Sequence, residues 1–129
     1  MHAVDTNVVV RFLVNDDPHQ SRIATELFRQ PVFIPATVLL ECFWVLRSRY
    51  LFDRQQLATA LAALVTWPTV VIENDSEVQW AITRFADGAD FEDALHIATV
   101  GSADAFVTFD GNLTKRLSET APIPVSLLS

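Results

Sequence analysis

Short apolar runs alternate with stretches of helical spacing along most of the chain. His2 to Asp5 reads as a short strand, and Asp5-Thr6-Asn7 then offers cap chemistry ahead of Val8, Val9, Val10, Phe12 and Leu13. The β-branched run at 8–10 also suits a longer strand, but the polar break before it favours a helix. Past Asn15-Asp16-Asp17-Pro18, the apolar set Ile23, Ala24, Leu27 and Phe28 has helical spacing, and Val32 to Ile34 forms a second strand closed by Pro35. A helix is predicted over Ala36 to Tyr50, with Arg47 and Arg49 where a C-terminus favours cations. Asp53 and Gln56 form a capping box before the stripe Leu57, Leu61, Leu64 and Val65. Val70 to Ile72 is a third strand, and Asn74 with Glu77 caps a helix whose stripe is Val78, Ala81, Ile82 and Phe85, ended by Gly88. Phe91 to Gly101 reads as helix, Ala105 to Phe109 as strand, Leu113 to Leu117 as a short helix and Val125 to Leu128 as a last strand.

Continuously apolar strands separated by helices predict an α/β fold: a three-layer α/β/α sandwich with a central, mainly parallel sheet covered on both faces. The 129 residues are the size of one domain, so residues 1–129 are expected to form a single unit with one core. No repeat or low-complexity run divides them. A single cysteine, Cys42, has no disulfide partner, and the apolar stretch from Val32 to Leu46 is interrupted by Pro35 and Glu41. A cytoplasmic protein is the expectation.

The net charge of −7 argues against a protein that grips nucleic acid through bulk positive charge. The position of particular acids matters more. Glu41 is the only charged residue between Arg29 and Arg47, within Val-Leu-Leu-Glu-Cys-Phe-Trp-Val-Leu, and a carboxylate left among such neighbours needs a partner. Its bland alternatives are a polar stripe on the helix or a pair with Arg47 or Arg49. Asp5 doubles as a helix N-cap, Asp90 as an N-cap with Asp93 three residues on, and Asp110 as a turn former before Gly111. Their number shifts the balance. Four separate segments bring Asp5, Glu41, Asp93 and Asp110 to one expected edge of the sheet, the carboxyl edge at which α/β proteins bind ligands. Converging carboxylates repel one another unless a cation offsets the charge, and their oxygens suit Mg²⁺ or Mn²⁺. A metal-assisted phosphodiesterase follows.

Four motifs carry a resemblance to a known family: Val-Asp-Thr-Asn near the start, Pro-Ala-Thr-Val-Leu-Leu-Glu-Cys, Phe-Glu-Asp-Ala-Leu-His-Ile-Ala, and Val-Thr-Phe-Asp near the end. In this order they resemble the PIN domain across nearly the whole chain. The resemblance implies that Asp5, Glu41, Asp93 and Asp110 hold Mg²⁺ or Mn²⁺ for endoribonuclease cleavage, with Asn7 and Thr108 as polar pocket residues. Small chains of this pattern resemble VapC toxins, which implies an RNA substrate, a cognate antitoxin protein and a homodimer. Asp90 adds a fifth acid near these positions and stands as a second-tier residue.

The remaining candidates are weaker. His96 follows Asp93 by three residues but is expected to be a packing residue; His2 and His19 lack ligand spacing for zinc. Cys42 has no base partner and reads as buried. Of Phe43, Trp44, Tyr50 and Phe52, most should be core, with an exposed subset able to receive a partner's helix. Two rival functions are a catalytically silent PIN-fold binding module and a Mg²⁺-dependent phosphotransfer or phosphatase domain. The second is disfavoured because no Asp-x-Asp and no acidic pair follow the first strand.

Overall fold

The computed structural model describes residues 1–129, which divide into two compact units, Met1–Glu73 and Asn74–Ser129. In the first unit, β1 (His2–Ala3), β2 (Val32–Phe33) and β3 (Val70–Val71) form a parallel sheet in that order. The ladders are short, but the pairing runs on: Val4 N–H donates to Phe33 O at 3.1 Å and Ile34 N–H to Val71 O at 3.0 Å. Parallel neighbours require long crossovers, and helices supply them. These are α1 (Thr6–Leu13), α2 (Pro18–Leu27), α3 (Ala36–Ser48) and α4 (Arg54–Val65).

Cap chemistry sets the starts of these helices. The Asp5 carboxylate accepts from Val8 N–H, Asp17 accepts from Gln20 N–H, and Asp53 with Gln56 makes the expected reciprocal box. Pro35, with its fixed φ, leads into α3. The core gathers Val9, Phe28, Ile34, Leu39, Leu46, Leu57, Leu61 and Leu64, all at most 2 % exposed. Phe12 stacks on Phe28 with centroids 3.9 Å apart.

The second unit holds α5 (Asp75–Ala86), α6 (Phe91–Ala98), β4 (Phe106–Thr108), α7 (Gly111–Leu117) and β5 (Val125–Leu127). Here β4 and β5 pair in parallel, with Thr108 opposite Leu127. The predicted stripe Val78, Ala81, Ile82 and Phe85 is buried, and Gly88 takes a φ of +112° that terminates α5 in the left-handed half of backbone space. No helix in the chain is long and apolar enough to cross a membrane.

Three local expectations fail for identifiable reasons. Asn74 does not cap α5 with its side chain; it sits in the left-handed region, φ 56° and ψ 45°, which Asn tolerates better than most residues. The α6 helix stops at Ala98 rather than Gly101, where the Thr99 hydroxyl donates to Leu95 O at 2.8 Å, a local bond that competes with helix continuation. Ile23 is 58 % exposed, because on α2 the buried positions are Ser21 and Ala24 and the Ser21 hydroxyl is anchored to Arg11 O at 2.8 Å. Substitution should separate the two kinds of apolar residue. Leu39→Ala is expected to cost about 2–5 kcal/mol in a denaturant titration, whereas Ile23→Ser should change stability by about 0.5 kcal/mol or less.

Candidate active site

All three strands of the first unit point the same way, so α1 and α3, which follow β1 and β2, begin at the same, carboxyl edge. Asp5 stands two residues past β1 as the cap of α1, and Glu41 lies in the second turn of α3, which starts three residues past β2. The two acids line one cleft of about 290 Å³ with Thr6, Asn7, Val45 and Arg49. Glu41 is exposed, not embedded: its apolar neighbours Leu39, Cys42, Phe43 and Leu46 take the buried face of α3 and turn it outward. Neither Arg47 nor Arg49 forms an ion pair with it; Arg47 instead lies over the Trp44 ring, 5.5 Å from its centroid. The partner of Glu41 is the buried Thr6 hydroxyl, which donates to its Oε1.

Cys42, fully buried one residue on, reports the charge of this cleft. Its thiol is pushed up to about 12, first by burial and then by the negative charges of Glu41 and Asp5. It stays protonated and is no nucleophile.

In the second unit, Asp90 caps α6 by accepting from Asp93 N–H at 2.8 Å, and Asp110 caps α7 by accepting from Asn112 N–H at 2.9 Å and Leu113 N–H at 3.1 Å. Thr108 joins this arrangement from the end of β4: its hydroxyl oxygen accepts from Asp110 N–H at 3.0 Å. Asp93 is half-buried. Burial raises its carboxyl above the ordinary aspartate range, the charges of Asp90 and Asp110 raise it further, and His96 acts in opposition. Asp93 thus feels the charge of both Asp90 and Asp110. His96 is exposed, which removes the packing role expected for it.

The role of Thr6 goes beyond the cap motif that its sequence context suggests: its hydroxyl meets Glu41 from the next crossover. Arg49, an alternative partner for Glu41 by sequence, is spaced eight residues from it, two helical turns, on the same face at some distance. Of the aromatic residues, Phe43 is buried, Trp44 is 43 % exposed, and the Tyr50 hydroxyl is bound between Asp16 and Arg11.

The PIN domain family matches residues 3–118. The chain belongs to the PIN domain family. No curated protein matches it closely enough to add a relative. Membership carries the PIN-like α/β/α fold, in agreement with the parallel pairing of every strand, and with it a nuclease-type function, hydrolysis of nucleic acid.

PIN domains typically use divalent metals. No three His, Cys, Asp or Glu side chains are grouped to hold an ion by themselves. Mg²⁺ does not require such a cage, because it keeps several waters and is commonly bound through one or two carboxylates with substrate phosphates. Asp5 and Glu41 fit that role in the PIN domain: hard oxygen donors in one cleft, neither held in an ion pair.

The raised Asp93 carboxyl gives a signed stability prediction. An acid whose folded pKa exceeds its unfolded value binds more protons in the folded state, so its penalty is absent at acid pH and grows as pH rises through the ordinary aspartate range to the raised folded value. The Asp93 side chain accepts no hydrogen bond that Asn would lose. Asp93→Asn should therefore be more stable than the parent at neutral pH, with the difference vanishing below the ordinary aspartate pKa. Denaturant titrations at several pH values check this, and equal stability throughout would mean that solvent screens the cluster.

Proposed function

We propose that this PIN domain is a Mg²⁺- or Mn²⁺-dependent endoribonuclease and the toxin of a VapC-type toxin–antitoxin pair. Asp5, Glu41, Asp93 and Asp110 are the proposed metal-holding and catalytic carboxylates, with Asn7, Thr108 and Asp90 as supporting polar residues. The observation that carries the reading is the shared cleft of Asp5 and Glu41 at the carboxyl edge of a parallel sheet, in a chain of a nuclease family.

A bound divalent cation supplies charge neutralisation at phosphoryl oxygens and a more acidic water. The chain's own residues prepare for it. Thr6 fixes one Glu41 oxygen by hydrogen bonding and leaves the other free, while the α1 cap bond holds Asp5 in a similar way. The two N–H bonds from α7 orient Asp110. Such orientation before substrate arrives lowers the reorganisation that reaction would otherwise require. The proposed partners are an RNA substrate, a second copy of the chain, and an antitoxin that covers the acidic cleft with a basic side chain.

Cleavage of generic single-stranded RNA in Mg²⁺, Mn²⁺ and chelator tests the proposal. The parent is expected to cut internally only with metal and to leave 5′-phosphate and 3′-hydroxyl ends. Asp93→Asn should abolish cutting, and Asp90→Asn, whose parent residue serves α6 chiefly as a cap, should reduce it less. Recovery of 2′,3′-cyclic phosphates would indicate attack by the ribose hydroxyl, and a well-folded parent inert with every metal would favour a silent binding module.

A further inference from the structure

The cleft that holds Asp5 and Glu41 also contains one cation with no assigned task. Val45 and Arg49 follow Glu41 at successive four-residue intervals on α3, and Arg49, the C-cap residue, lines the same cleft from an exposed position. The guanidinium makes no ion pair or side-chain hydrogen bond. Its charge is felt by Asp16, but both oxygens of that carboxylate are engaged, Oδ1 by Arg11 at 3.2 Å and Oδ2 by the Tyr50 hydroxyl at 2.6 Å. The neighbouring arginines are committed elsewhere: Arg11 to Asp16, Tyr50 and Gln20, and Arg47 to the Trp44 face.

We propose that Arg49 binds a backbone phosphate of the single-stranded RNA substrate, one displaced along the strand from the phosphate that is cut. Its Cα lies two helical turns, about 12 Å, from that of Glu41, and no ion pair ties its side chain to either carboxylate. A planar guanidinium with five donors matches phosphate oxygens in a bidentate way. The cleft is polarised as a result. Carboxylates at one end repel an unassisted phosphate and the guanidinium at the other attracts one, which gives a bound strand a fixed register on an otherwise acidic protein.

This inference rests on the nuclease reading, and the test separates the two. Binding of a fluorescent single-stranded RNA of mixed sequence is followed by anisotropy in Mg²⁺ over a range of salt, in an Asp93→Asn background that prevents turnover; cleavage is measured in the otherwise unaltered chain. Arg49→Gln should weaken binding about tenfold. The slope of log affinity against log salt should become shallower by about 0.7, the share of one single-strand phosphate contact. Arg49→Lys should recover the slope but only part of the affinity, because it keeps the charge and loses the fork. Arg22→Gln, another exposed arginine of the same unit that is outside this cleft, should leave the slope unchanged. In cleavage, Arg49→Gln should raise KM with kcat within about twofold, the pattern of lost uniform binding.

Unchanged slope and KM in Arg49→Gln, beside a parent that cuts RNA, would overturn the role of Arg49 and leave the nuclease standing. Equal slope losses in Arg22→Gln and Arg49→Gln would also overturn it, since a diffuse field and not a site would be responsible. A parent that never cuts but whose RNA binding shows the Arg49-dependent slope would reject the nuclease and keep the phosphate contact. No RNA binding at all would reject both.

Discussion

The start of a helix just past the end of a parallel strand is the constraint on which the rest of this molecule depends. Parallel pairing of β1 with β2 and of β2 with β3 forces each strand to return through a crossover, so α1 and α3 both begin at the carboxyl edge of the first unit. A helix start leaves unsatisfied N–H groups, and a short acidic side chain satisfies them well. Asp5 and Asp110 therefore occupy positions that a structural argument alone would assign to aspartate. Each lies exposed just past the end of a strand of its own unit, where a ligand can approach.

Capping and chemistry are compatible because a carboxylate has two oxygens. At Asp5 and Asp110, Oδ1 accepts the cap bonds, leaving Oδ2 for another partner. Asp93 is different. Asp90 already supplies the cap of α6, so Asp93 contributes no cap bond, is partly desolvated, and faces the like charges of Asp90, Asp110 and Glu92. It is the least explained by stability among the four acids and the one whose environment works against it. Perturbed carboxylates of this kind concentrate at functional sites, where the binding of a cation or substrate offsets their cost.

Much of this arrangement was legible in the residues. The stripes Leu57-Leu61-Leu64-Val65 and Val78-Ala81-Ile82-Phe85 are buried as their spacing implies, and the Asp53–Gln56 box is formed in full. Local chemistry decided these elements. It failed where tertiary context competes: Ile23 fits a helical stripe, but the close approach of α2 to α1 suits the small Ser21 and Ala24 instead. At Glu41 the apolar run suggests burial, whereas the run wraps a helix with one open face, and period alone cannot reveal which residue takes that face. The Thr6 hydroxyl bond to Glu41 joins residues 35 apart in sequence, a pairing no local pattern encodes.

The strongest sequence objection to a nucleic-acid enzyme was its net charge of −7, and the distribution of charge changes what that number means. Residues 1–73 carry six of the nine basic residues and seven of the sixteen acids, a net of −1, while residues 74–129 carry the other three and nine, a net of −6. The first unit is nearly neutral, and its basic residues are all arginine. A polyanion meets little average repulsion from the first unit's own charge. What governs binding is then the local set. To the cleft of Asp5 and Glu41 the first unit contributes two carboxylates and one guanidinium outside any ion pair, a single negative charge. Acidity of the whole chain and affinity for RNA at one cleft are therefore compatible.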